Sequence, residues 1–438
     1  MTPAQVATPG LAAPARAPLR SLDDALAELL GHATCLSNTE SVPTLAADGR
    51  VLAQDVVSSL QVPPQDNSAM DGYAVRCADL AAGVALPVSQ RIAAGSSGHA
   101  LAPMSVARIF TGAPVPPGAD AVVMQEDCTP QDDGAVRISA PVPLGQWIRR
   151  RGEDVTQGAV ILPKGERLTP ASIGLAASIG MSQLQVVRSP RVALFSTGDE
   201  LVMPGDVPPE RMPPGAIYNS NRFFLQALLK RLGCEVSDLG IVPDDRAATI
   251  QALREAAQHH DLILTSGGVS VGEEDHIKPA VQALGQLDLW QIAIKPGKPF
   301  AYGQVRRVGV AGEASAAADA TAGKGLAHFI GLPGNPVSSF VTFLMLVRPF
   351  LLKLQGVSNL APTSIAATAD FTWPRADQRR EFLRVRRTAT GTLALFPNQS
   401  AGVLTSAVWG DGLVDNPPGQ TIAPGDVVRF IPFAEVLS

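Results

Sequence analysis

The chain has 438 residues, is 46% hydrophobic and 17% charged, and carries a net charge of −5. That length exceeds what one hydrophobic core organises and predicts two to four domains, and the apolar share excludes a disordered chain. The acidic balance excludes the electrostatic footprint of a nucleic-acid binder, so an anionic ligand has to be held by local donors or by a metal.

Residues 1–20, rich in Ala and Pro, read as a flexible tail that lacks the basic start and apolar core of a signal peptide. "SLDDALAELLGHA" predicts a helix with Ser21 as N-cap, Asp23 and Asp24 in its first turn, and Leu22, Ala25, Leu26, Leu29 and Leu30 on one face. From about 44 to 145, short β-type runs cut by Gly and Pro predict a compact β-rich module. Within it, "NSAMDGYAV" reads as a turn ahead of a strand, and Asp71-Gly72 is good turn chemistry. "TPASIGLAASIG" predicts a helix with Thr169 as N-cap, Pro170 at its first position and Gly180 at its end.

A regular alternation follows. "RVALFSTGDEL", "EVSDLGIVPDD" and "DLILTSGGVSVG" read as strands running into loops, separated by the helical "SNRFFLQALLKRLG" and "RAATIQALREAAQHH". This order implies a mostly parallel α/β sheet whose ligand crevice lies at the carboxyl ends of the strands. Residues 310–325 are low-complexity Ala/Gly and read as a surface insertion. "HFIGLPGNPVSSFVTFLMLVRPFLLKL" resumes with strand, rigid turn and helix, and the short β runs from about 360 to the end predict a small barrel or sandwich. No apolar run reads as being of membrane-spanning length. Cys35, Cys77, Cys128 and Cys234 are far apart with no CxxC pair, which argues against a zinc site or disulfide framework and for a reducing cytosol.

Polar residues collect at three strand ends: Ser196 to Glu200; Ser266, Gly267 and Gly268 followed by Glu273, Glu274 and Asp275; and Pro333, Gly334, Asn335 and Pro336. Each loop alone is ordinary turn chemistry, but three at one edge predict a shared crevice. The paired glycines are expected to offer backbone N–H groups to an anion, and Pro336 to start a helix whose N-terminus aims donors at an oxyanion. Lys295 and Lys298 in "KPGKP" fit either phosphate contact or a solvated turn. The acids Asp199, Glu200, Asp244, Asp245, Glu273, Glu274 and Asp275 are many for loops meant to hold an anion, which suggests a bridging Mg²⁺ with only some of them as ligands. No HExxH or GxSxG pattern is present.

From about residue 20 onward the chain resembles the molybdopterin molybdenumtransferase family. The matching strings are "DNSAMDGYAVR", "FTGAPVPPGADAVVMQED", "RGEDV", "FSTGDEL", "TSGGVSVGEEDHIK", "IKPGKPFAYG", "GLPGNPVSSF" and "RREFLRV". The resemblance implies an elongated domain from segments 21–54 and 146–187, a β-rich domain at 55–145, a molybdopterin-binding α/β domain at 188–355 and a C-terminal β-barrel at 360–438. It implies a cytoplasmic homodimer with its active site across the subunit interface, which takes adenylylated molybdopterin and molybdate, places the metal on the dithiolene and releases AMP with Mg²⁺. Molybdopterin adenylyltransferase and molybdoenzyme chaperones are the implied partners, with no nucleic acid and no membrane; adenylyl transfer onto molybdopterin or a non-catalytic scaffold are the alternatives.

Carried over residue by residue, the functional set is Asp71, Thr111, Asp154, Glu200, Asp244, Asp275, Lys295 and Arg384, with Arg380 the less favoured arginine. Substrate binding falls to Ser266, Gly267, Gly268, Lys298, Pro333, Gly334, Asn335 and Pro336, and metal binding to Glu200, Asp244 and Asp275. Gln291 departs from the lysine that some relatives carry just before "xAIKPGKP", here "IAIKPGKP". Asp71 is expected to act in the partner's cleft.

Overall fold

A computed structural model describes residues 19–81, 84–139, 141–268, 276–307 and 325–437. Glu273, Glu274, Asp275 and positions 310–324 of the insertion lie outside the described residues. The chain forms two compact units: residues 1–40, 49–51 and 187–438, and residues 41–48 and 52–186.

The first unit is organised by a six-stranded sheet. Its order is Glu235–Val242, Arg191–Thr197, Leu262–Ser266, Leu326–Leu332, Pro299–Arg306, Gly285–Gln291. The first four strands are parallel. Pro299–Arg306 runs antiparallel to both of its neighbours, which makes the sheet mixed while its first four strands keep the expected parallel order. The reason is connection length: only residues 292–298 join Gly285–Gln291 to Pro299–Arg306, too short for the helical crossover that parallel strands need. Side chains alternate between the two faces: Val192, Leu194, Leu262 and Leu264 enter one core, and Ala193, Phe195 and Ile263 the other. Both faces are covered, which is why "VALF" and "LIL" are continuous apolar runs.

The predicted N-caps form. Ser21 accepts from the Asp24 N–H and Thr169 from the Ser172 N–H. The helix Leu22–His32, grouped by sequence with the elongated domain, buries Leu22, Ala25 and Leu29 in the core of the first unit. Arg20, read as tail, donates its N–H to Gln291 O and lies over Trp290. Pro336–Leu354 corrects the expectation that no apolar run is of membrane-spanning length: it is long and apolar enough, but 94% of it is buried inside the protein. Its middle widens to a π-helical stretch, Phe343–Val347, just before Pro349. Proline lacks the N–H and its ring crowds the carbonyl four residues back, and the widened turn relieves that conflict.

The C-terminal part of this unit is a second sheet, ordered Ile294–Lys295, Arg380–Arg387, Gly412–Asn416, Val427–Pro432, Ile365–Thr368, with Leu393–Leu395 on Arg380–Arg387. Ile294–Lys295 joins it in parallel, so the "KPGKP" turn leaves from its edge.

The second unit is a six-stranded sheet, Ala121–Met124, Gly72–Val75, Val106–Ile109, Ala85–Ile92, Ala135–Ile138, Cys128–Pro130, accompanied by small two-stranded ladders and the helix Pro170–Ser178. Gly72 opens a strand rather than making a turn. A Cβ there would stand 1.8 Å from Val123 O, so close backbone approach is what demands glycine.

Candidate active site

From Arg191–Thr197 the chain crosses to one side, to Glu235–Val242, and then returns to the other, to Leu262–Ser266. The strand order therefore reverses between Thr197 and Ser266, and a crevice opens beyond their carboxyl ends. It is a cavity of about 590 Å³ in which Glu200, Asp244, Ser266, Gly267, Gly268 and all four residues of the Pro333–Pro336 turn take part. The three strand-end loops converge as their sequences predict.

Their details differ from expectation in two respects. Gly267 does not offer its N–H to a ligand, because that group donates to Leu332 O at 3.0 Å. The glycine pair is required by space: Gly268 has φ +66°, and a Cβ would meet Ile277 Cγ1 at 2.5 Å. In the helix that starts at Pro336, the first N–H belongs to Val337 and donates to Ala401 O at 2.9 Å, so this donor too is committed.

Sequence reasoning missed Asn219 and Asn221. Both line the cavity, at 2% and 8% exposure. Asn219 caps the helix Ser220–Arg231, accepting the Arg222 N–H, and its Nδ2 is buried without a partner. Asn221 Nδ2 donates to Ser266 Oγ at 2.8 Å and to Gly334 O at 2.7 Å. "YNSN" at a helix start signals capping and nothing more; the reach to Ser266 and Gly334 has no local signature.

The cations do not line this cavity. Lys295 Nζ lies 2.9 Å from Glu381 Oε1 and 3.4 Å from Asp377 Oδ2, beside the Trp373 ring. Lys298 is half-buried, and its carbonyl accepts the Ile292 N–H. Arg384 is buried in the C-terminal sheet with neutral partners: Ser406 Oγ at 3.1 Å, Phe382 O at 2.9 Å and Ser400 O at 3.4 Å. Burial lowers its guanidinium to about 10. Arg380 is instead locked to Asp415 by two 2.6 Å bonds. Gln291 ends a strand and is half-buried.

Three family models match in sequence: "MoeA N-terminal region (domain I and II)" over residues 20–180, "Probable molybdopterin binding domain" over 193–353 and "MoeA C-terminal region (domain IV)" over 366–433. A molybdopterin molybdenumtransferase of Haemophilus influenzae is 42% identical over 366 residues, covering 83% of this chain and 85% of that protein. The chain belongs to the molybdopterin molybdenumtransferase family. A molybdenumtransferase of Synechococcus elongatus is 38% identical, covering 87% of this chain and 91% of its own. A molybdopterin biosynthesis MoeA protein of Pyrococcus horikoshii superposes with TM-score 0.78 at 27% identity, covering 95% of this chain and 100% of its own.

Of the residues that molybdenumtransferase resemblance singles out, Asp71, Thr111 and Asp154 belong to the second unit. Asp71 is exposed, and its Oδ1 accepts from both the N–H and the hydroxyl of Thr111. Those bonds, the backbone one first, hold its carboxyl below the usual range. Asp154 is exposed on a bend, its N–H donating to Val62 O at 3.0 Å. Asp275 lies outside the described residues. Among the described residues no three His, Cys, Asp or Glu side chains gather closely enough to hold a metal, which leaves Glu200 and Asp244 as the two acids that line the cavity.

Proposed function

We propose that this molybdopterin molybdenumtransferase takes adenylylated molybdopterin and molybdate at the strand-end cavity, places molybdenum on the dithiolene and releases AMP by cleavage of the phosphoanhydride. One observation carries the reading: Glu200, Asp244, Ser266 and the Pro333–Pro336 turn, remote in sequence, line a single cavity of about 590 Å³. That volume suits a small organic substrate.

Glu200 and Asp244 fit Mg²⁺ in kind, since it takes hard oxygen donors and is held by one or two carboxylates with water; with Asp275 they are the residues that would hold it. Bound there, Mg²⁺ would neutralise charge on the pyrophosphate oxygens. The Ser266 hydroxyl and the turn that opens the helix at Pro336 orient the anionic groups. Lys295, Lys298 and Arg384 do not line the cavity; the family resemblance alone makes them the cations for phosphate or molybdate, and Gln291 adds none.

We read the active molecule as a cytoplasmic homodimer in which Asp71, Thr111 and Asp154 of one protomer serve the cavity of its partner. An exposed carboxylate held ionised by Thr111 supports that role for Asp71. An adenylyltransferase would supply the substrate, and molybdoenzyme chaperones would take the product. We also read residues 360–438 as a barrel, supported by the bridge between Ala369 and Leu393, which joins the Ile365–Thr368 end of that sheet to the strand paired with Arg380–Arg387. The four-domain division at 54, 145, 187 and 360 is part of the same reading.

The test is incubation of the full chain with adenylylated molybdopterin, molybdate and Mg²⁺, followed by assay of AMP and of active cofactor. Both are expected to form. Production of the adenylylated species from ATP, without metal insertion, would overturn the reading.

A further inference from the structure

Asn221 joins two loops that both shape the cavity. Its side chain reaches Ser266, at the end of Leu262–Ser266, and Gly334, in the turn after Leu326–Leu332. The second bond fixes the orientation of the amide. A backbone carbonyl only accepts, so the atom facing Gly334 O is the nitrogen. That same nitrogen donates to Ser266 Oγ, which is therefore the acceptor in the pair. The Ser266 proton is left to be given elsewhere. Ser266 is 4% exposed and lines the cavity, so the direction left for that proton is a ligand. Asn221 Oδ1, buried and without a partner, is a further polar atom at the cavity wall.

We propose that Asn221 is a positioning residue of this active site: it holds the Gly334 turn in place and makes the Ser266 hydroxyl a hydrogen-bond donor to an anionic oxygen of the substrate. The inference rests on the cavity being the substrate site. The oxygen belongs to a phosphate of adenylylated molybdopterin or to molybdate, which share the chemistry of a multiply charged acceptor.

Asn221→Asp keeps the shape and reverses the polarity. A carboxylate would take the Ser266 proton for itself and face the Gly334 carbonyl with a like dipole. The full chain and its Asn221→Asp, Asn221→Ala, Ser266→Ala and Asn221→Ala/Ser266→Ala variants are compared by AMP release, varying each substrate in turn. Asn221→Asp is expected to raise KM at least tenfold, for adenylylated molybdopterin if the acceptor is a phosphate and for molybdate if it is that oxyanion. The double variant is expected to fall short of the product of the two single effects by threefold or more, because both act on one hydrogen-bond donor. Should Asn221→Asp fail to fold, the alanine cycle decides alone. A lowered thermal midpoint with both KM values within twofold of wild type, or single effects that multiply, would overturn the role of Asn221. An unchanged KM in Ser266→Ala as well would overturn the cavity assignment beneath it.

Discussion

Asp71 and Thr111 are joined by two hydrogen bonds, from the Thr111 N–H and hydroxyl to the same carboxylate oxygen, each 2.8 Å. They flank the strands Gly72–Val75 and Val106–Ile109, which pair antiparallel with Gly72 opposite Ile109, and that register brings the two residues together just beyond the strand ends. Two donors on one oxygen favour the charged form of the acid. The pair is a preset carboxylate rather than a flexible turn residue.

Thr111→Ala removes the hydroxyl bond and keeps the backbone one. The Asp71 carboxyl, now below its usual range chiefly through the backbone bond, is expected to titrate higher in the variant while staying below an ordinary aspartate. Carbon-13 NMR titration of the Asp71 side chain measures this. An identical midpoint in the two proteins would show that the hydroxyl bond is absent in solution.

If Asp71 serves the partner's cavity, two inactive variants with lesions on different sides of the site complement each other. Asp71→Asn and Glu200→Gln homodimers are each expected to lose most AMP release. Mixed dimers contain one intact site in two, so activity returns to roughly a quarter of wild type after statistical exchange. Proven subunit exchange with no recovery would place Asp71 outside the site.

Glu381 is 1% exposed and accepts from Lys295 Nζ, from Trp373 Nε1 at 2.7 Å and from Asn416 Nδ2 at 3.3 Å. Glu381→Gln keeps the shape but cancels the charge and turns one end into a donor facing donors. The expected cost is about 1–3 kcal/mol in urea unfolding, the range for a buried hydrogen-bonding group that loses its match. Lys295 loses its nearer carboxylate at the same time and keeps only Asp377 at 3.4 Å, so KM for molybdate is expected to change more than KM for adenylylated molybdopterin. Equal changes in both would separate Lys295 from the oxyanion.

His328 is half-buried, packed against Phe350 and bonded to the Tyr302 hydroxyl, and desolvation pushes its imidazole down to about 4 from 6.5. The unfolded chain therefore binds this proton at a higher pH than the folded one. Stability attached to the neutral ring is intact above 6.5 and is lost progressively as pH falls toward 4, by about 3 kcal/mol in all. Urea unfolding of wild type and His328→Gln at pH 7 and pH 4.5 tests the sign. The variant is expected to lose less stability over that interval; equal losses would show that the ring stays accessible to protons.

What the sequence determined by itself was local in its physics. The alternation of apolar strand and capped helix and the caps at Ser21 and Thr169 depend on neighbours a few residues away, and they emerged as read. Because strand-end loops in an α/β sheet open on one side, the chain order alone places Glu200, Asp244, Ser266 and Pro333 at one crevice. The long matching strings identified the family for a different reason, as whole words rather than as physics.

Tertiary structure decided the rest, because the deciding contacts are long-range. Whether Gly285–Gln291 runs parallel or antiparallel depends on its partner strand, and "LDLWQ" is the same string either way. Gly72 looks like a turn glycine until Val123 O arrives against it from another strand. Nothing in "KPGKP" shows that Glu381, 86 residues on, accepts from the Lys295 ammonium. Asn221 reads as part of a helix start until Ser266 and Gly334, 45 and 113 residues away, accept from its amide. Register and packing bring such groups together, and neither is written in a local window of sequence.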